Sequence, residues 1–304
     1  MALPFPDISH ELITLPALHL WGHVLGPFPI RWYALGYIFG ILLGWRYAVA
    51  LVHTPRLWIG RRLSISAGQV DDLVVWLTFG IILGGRIGYI LFYMVPLADQ
   101  RAELGIHPWI VFETWNGGMS FHGGLIGVIV ATLAFARQNR LSVLDIGDVI
   151  APAFPIGIFL VRIANFINGE LWGRITHVPW ALVFCGRHLA TDSLGQCIAG
   201  PEPRHPSQLY EAALEGLVLF FILRWATHRS AWLQKPGATA GLFLVGYAVM
   251  RMSLENVRMP DAGFRELPLG LTMGMILSAP MFLGGACLLW RAFLTRHPHV
   301  PESH

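Results

Sequence analysis

The sequence predicts an all-α, polytopic membrane protein with seven transmembrane helices, and three observations carry that prediction. Hydrophobic residues fill 55% of the 304 positions and only 13% are charged, against roughly 25% charge in a typical soluble domain. The mean hydropathy is +0.56. The apolar residues also gather into runs that approach the ~20 residues a helix needs to cross a bilayer core.

Taken in order, the predicted spans are Pro29–Val52, Leu73–Val95, Met119–Ala136, Val149–Ile167, Leu209–Trp225, Ala238–Leu254 and Leu271–Leu294. Basic residues follow alternate spans: Arg56, Arg61 and Arg62 after the first, Arg137 and Arg140 after the third, Arg224, Arg229 and Lys235 after the fifth, Arg291 and Arg296 after the seventh. Positive loops stay on the cytoplasmic side, so the N-terminus is expected outside and the C-terminus inside. No lysine or arginine precedes Arg31. Residues 1–28 therefore lack the basic region of a cleavable signal peptide and read as an interfacial segment. Prolines at 152, 155 and 280 predict kinked helices, tolerable where neighbours satisfy the freed backbone groups. The whole chain reads as a single integral membrane domain, with residues 173–205 as a small external insertion between the fourth and fifth helices.

The ends opposite the basic loops collect the polar residues. The densest stretch is Arg162–Arg174, which closes an apolar run with two arginines, two asparagines and a glutamate in thirteen positions. Arginine inside a bilayer costs ~2.5–3.5 kcal/mol on insertion scales, so Arg86, Arg162 and Arg251 each call for a reason. One is snorkelling of the long stem to the interface; the other is a ligand. Arg251 and Glu255 are four apart and share a helix face, with Arg258 following. That pattern serves an internal ion pair or an arginine oriented by its glutamate towards a phosphate, since bidentate guanidinium pairs are strong. The phosphate at that depth is a phospholipid headgroup.

His122 lies among glycines in the segment from Gly117 to Gly124, and an imidazole can take a proton near neutral pH. It reads equally as a general base or as a packing residue. Gly84–Tyr89 reads as a small-residue packing face whose Arg86 packing does not explain. Tyr33 suits an interfacial aromatic belt. In the run from Arg204 to Glu211, Ser207 suits a helix cap, while His205, Gln208, Tyr210 and Glu211 exceed what a cap needs and suggest a second wall of the same cavity. Cys185 and Cys197 share the external connection, where a disulfide or two separate core residues are equally compatible with the sequence. Neither CxxC nor HExxH spacing occurs, so no metal or cofactor is expected.

Together, Arg31-Trp32-Tyr33, Gly84–Tyr89, Gly117–Gly124, Arg162–Arg174, His205–Glu211 and Arg251–Asp261, in that order, resemble the prolipoprotein diacylglyceryl transferase family. The resemblance spans nearly the whole chain. It implies transfer of the diacylglyceryl group of phosphatidylglycerol to the lipobox cysteine of a prolipoprotein signal peptide, with release of glycerol 1-phosphate. It also implies a bacterial inner membrane location, an active site near the periplasmic leaflet and no nucleic-acid partner. Carried over by residue, the resemblance makes His122 the base and Arg162 and Arg251 the essential arginines, with Tyr33, Asn165 and Arg86 beside them at the phosphatidylglycerol site. Glu170, Gly173, Glu255, Arg258, His205 and Gln208 are supporting positions. Two departures stand out: Val161 and Ala164 replace glycines common in the family, which predicts looser helix packing there. The rival class, a lipid or solute transporter with a polar outer vestibule, would spread ionisable groups through the membrane depth; here they crowd one end. An intramembrane serine protease would need a nucleophile elbow, which Gly118-Met119-Ser120-Phe121 does not supply.

Overall fold

A computed structural model of the chain describes residues 2–20, 23–96, 98–113, 118–259 and 271–294. Two compact units emerge, one of residues 1–48, 56–61 and 148–304, the other of residues 49–55 and 62–147. The body is helical throughout: α1 Trp32–Val52, α2 Ala67–Tyr89, α3 Ala98–Ile106, α4 Phe121–Gln138, α5 Val143–Ile150, α6 Phe154–Ile167, α7 Ser207–Glu211, α8 Leu219–Arg229, α9 Ala238–Leu254 and α10 Met273–Leu294. A π-helical stretch, Ala212–Val218, joins α7 to α8 without a break, and another, Ile90–Met94, extends α2.

Local chemistry explains the helix ends. Ser66 accepts from the Gln69 amide while the Gln69 side chain reaches back to the Ser66 amide, a capping box that starts α2. Ser120 starts α4 by accepting from the Gly123 amide at 3.2 Å. The fourth predicted span, Val149–Ile167, holds α6 and only the last two residues of α5, which begins six residues earlier; the two helices are bent by 47° about residues 151–153. Pro152 has no amide hydrogen to continue the ladder, and Pro155 fits the first turn of α6. Among the described residues α1 and α10 are each long and apolar enough to cross a membrane, and the bent pair would make a third such segment.

The polarity is inverted relative to a protein folded in water. Phe39, Leu43, Phe79, Leu83, Phe221 and Leu283 are exposed, whereas Asp148, Gln208, Glu211 and Glu215 are fully buried. In the first unit, Asp148 accepts from the amides of Gly237 (2.7 Å), Thr239 and Ala240 (both 3.0 Å) at the start of α9, and from Arg61 at 2.8 Å. A buried carboxylate there satisfies amides that the first turn of a helix leaves open and meets the positive end of its dipole.

Six short strands depart from the purely helical expectation: β1 Leu3–Pro4, β2 Glu11–Leu15, β3 Leu18–Leu20, β4 His23–Leu25, β5 Phe28–Arg31 and β6 Leu182–Val183. Two- to five-residue strands fall below what hydropathy runs detect. β2 pairs with β5 and β3 with β4, both antiparallel, so the N-terminal segment is built of hairpins. β1 pairs in parallel with β6, and Phe5 enters a small core with Leu182, Phe184, Leu189 and Ala199. Cys185 and Cys197 are joined by a disulfide in the same region, which resolves the choice the sequence left open.

Candidate active site

The polar stretches of the first unit meet where α6 ends, α7 begins and α9 ends. Backbone pairing brings them there: the Gly173 amide donates to the His205 carbonyl at 2.9 Å, the His205 amide to the Arg174 carbonyl at 3.0 Å, and the Arg174 amide to the Val257 carbonyl at 2.8 Å. Gly173 is required for the approach, since a Cβ there would fall 2.5 Å from the Val257 oxygen and 2.7 Å from the His205 Cβ. The Arg174 guanidinium adds a bond to the Arg258 carbonyl at 3.0 Å.

Three guanidinium groups converge on one carboxylate. Arg162 Nε stands 2.8 Å from Glu211 Oε2, Arg258 Nη1 donates to Glu211 Oε1 at 3.1 Å, and Arg251 Nη1 lies 3.6 Å from that same oxygen. Arg251 Nη2 pairs with Glu255 at 2.7 Å, the i,i+4 partner on its own helix. Glu215, one turn beyond Glu211, lies 3.7 Å from Arg162 Nη2. Glu211 and Glu215 are completely buried, and the arginine side chains are 9–17% exposed. Burying such charges costs several kcal/mol per ion and is tolerated only when they are paired. One donor is left over: Arg251 Nη1 has no hydrogen-bond acceptor among the described residues.

Around this core, Asn165 is the hub of a second network. Its amide donates to Glu170 at 2.7 Å and to the Tyr33 hydroxyl at 3.2 Å, while its carbonyl oxygen stands 3.5 Å from Arg162 Nη1. Gln208 donates to the Glu170 carbonyl, and Ser207 to the Leu171 carbonyl at 2.9 Å. The Trp180 indole donates to the Tyr210 hydroxyl at 2.6 Å, leaving the phenolic hydrogen for His205 Nδ1, 3.2 Å away. Burial holds the His205 imidazole below its ordinary pKa, favouring the neutral acceptor form that this bond uses.

Of the expected site residues, Tyr33, Arg162, Asn165, Glu170, Gly173, His205, Gln208, Arg251, Glu255 and Arg258 all lie in this unit. Arg86 and His122 belong to the other. There, Arg86 donates to the carbonyls of Val111 at 2.9 Å and Gly118 at 2.9 Å, and to that of Ile110, and stacks on Tyr89. Gly118 has φ +75°, and a Cβ on it would lie 2.7 Å from Arg86 Nη1. His122 is exposed on the first turn of α4. The expected motif residues 117, 260 and 261 lie outside the described residues. Glu211 was expected in the second wall of the cavity but not as the carboxylate the arginines share, and Glu215 went unnoticed. Two glutamates four apart within an apolar run are the signal that could have found them.

Three guanidinium groups and three carboxylates thus form one buried charged cluster in an apolar helical body. A family model described as prolipoprotein diacylglyceryl transferase matches residues 21–291. A protein of Caulobacter sp. (strain K31) named phosphatidylglycerol--prolipoprotein diacylglyceryl transferase is 55% identical over 99% of this chain and 98% of its own length. Proteins of the same name from Phenylobacterium zucineum (strain HLK1) and Nitrobacter hamburgensis are 52% and 49% identical, over 97% and 96% of the chain and 96% and 94% of their own lengths. The chain belongs to the prolipoprotein diacylglyceryl transferase family and is a transferase.

Proposed function

We propose that this chain transfers the diacylglyceryl group of phosphatidylglycerol to the lipobox cysteine of prolipoproteins, with the cluster around Glu211 holding the lipid phosphate. The convergence of Arg162, Arg251 and Arg258 on one buried point is the observation that carries this reading. Phosphate suits guanidinium donors. In the reaction the cysteine sulfur bonds to C3 of the glyceryl group as the bond from that carbon to the phosphate oxygen breaks. The electron pair leaves with glycerol 1-phosphate, whose phosphate thereby gains a second negative charge. Fixed donors that meet this growing charge stabilise the transition state more than the bound lipid. Arg251 Nη1 and Arg162 Nη2 are the donors we assign to it.

The thiol, with an ordinary pKa near ~8.5, attacks as thiolate. His122 is our candidate for the proton acceptor; its motif supports the role. Asn165, Glu170 and Tyr33 hold Arg162 in place, and Glu255 orients Arg251. For Arg86, its three carbonyl bonds favour holding Ile110, Val111 and Gly118 as well as the expected place near the lipid. The outward apolar faces and alternating basic loops support seven spans in one membrane domain, cytoplasmic C-terminus, residues 173–205 in the periplasm and the site near the periplasmic leaflet of the inner membrane. The test is a lipobox peptide incubated with the purified protein in phosphatidylglycerol vesicles. The expected products are the thioether and glycerol 1-phosphate in equal amounts; a lipid relocated between leaflets with no covalent product would favour a transporter.

A further inference from the structure

Arg162, Arg251 and Arg258 face Glu211, Glu215 and Glu255 in the cluster, so three positive charges meet three negative ones when all are ionised. A phosphate monoanion brought among them leaves one negative charge uncompensated where water has been excluded, and some group must absorb it. The three carboxylates differ in how firmly they are held. Glu211 is gripped by Arg162 and Arg258, and Glu255 by Arg251. Glu215 is fully buried, yet neither of its oxygens accepts a hydrogen bond among the described residues. Its nearest partner, Arg162 Nη2, stands 3.7 Å away, beyond hydrogen-bond reach. It also sits in the π-helical stretch, a backbone distortion that recurs at functional sites.

We propose that Glu215 balances the charge of headgroup binding: it pairs loosely with Arg162 before lipid arrives, and takes up a proton when the phosphate claims that guanidinium. The proton comes from the aqueous phase and converts the carboxylate to the carboxylic acid, which stays in the site while the lipid does. The charged and titratable groups acting on it are Arg162 on α6, Glu211 on α7, Arg251 and Tyr247 on α9, and Arg258 just beyond. Glu215 is thus a positioning residue acting through Arg162. The inference rests on reading the arginine cluster as the headgroup site.

The experiment titrates short-chain phosphatidylglycerol into the full-length protein in detergent micelles, in buffers of different ionisation enthalpy, and follows KM for that lipid against pH. Wild type is expected to take up about one proton per lipid at the alkaline end, with KM rising up to about tenfold per pH unit while kcat changes less. Glu215→Gln, whose amide cannot ionise, is expected to take up none, to bind lipid at least as tightly as wild type at neutral pH, and to show a flat KM profile. A wild-type enthalpy independent of buffer overturns the proposal without recourse to any variant, as does Glu215→Gln with wild-type proton uptake. Arg162→Ala separates the two levels. If that variant binds lipid like wild type, the headgroup site itself is wrong; if it binds weakly while Glu215→Gln keeps its proton uptake, only the role of Glu215 falls.

Discussion

Arg251 shows how one side chain can be fixed by a partner and still keep a donor in reserve. Glu255 at 2.7 Å fixes its plane, and among the described residues its Nη1 has no hydrogen-bond acceptor. The i,i+4 spacing of the pair and its place at the end of an apolar run were visible in the sequence, because helix geometry alone puts those positions side by side. Glu211 and Glu215 could not be read the same way. Their partners lie on α6, on α9 and just beyond α9, and no local spacing reveals that three arginines from these segments share Glu211 or that Arg162 also approaches Glu215. For Arg86, burial in an apolar run suggested a ligand, and the structure shows its guanidinium donating to the carbonyls of Val111 and Gly118, which no local spacing announced. For His122 the expectation is specific: His122→Gln should slow peptide modification at neutral pH by at least about 100-fold. A rate within a few-fold of wild type would shift thiol activation to the arginines.

At the scale of elements, the predicted apolar runs overlap α1, α2, α4, α6, α8, α9 and α10, since each run had to satisfy its own backbone bonds, whereas α3 and most of α5 fall outside them. The runs did not reveal where a helix would split, and the α5–α6 break follows Pro152. Replacement of family glycines by Val161 and Ala164 suggested loose packing. Instead Ala164 is 2% exposed, and Gly36 faces it from α1, where an added Cβ would sit 3.5 Å from that of Ala164. Asp148 is the clearest structural keystone, tying Arg61 to the first turn of α9. Asp148→Asn removes the charge and leaves Arg61 and three amides with a weaker acceptor. A loss of about 3–5 kcal/mol is expected, read as a lower unfolding temperature in micelles; a change of less than a degree would show that the contact is dispensable.

For the molecule as a whole, charge and hydropathy together lead to the expectation of polar chemistry at one end and basic loops at the other. The short strands and their pairing were not legible, since β1 finds β6 across nearly 180 residues of intervening chain. The proposed orientation predicts that alkaline phosphatase fused after Gln138 or Ser230 stays inactive in the cytoplasm, while fusion after Arg187 is active; the reverse pattern would invert the topology. The central claim is that the cluster around Glu211 grips the phosphate of phosphatidylglycerol during transfer to a thiol. The most direct test compares wild type with Arg251→Ala in the vesicle assay, after verifying by protease protection that the variant inserts. Thioether formation should fall by about 100-fold or more. Wild-type turnover by the inserted variant would contradict the account.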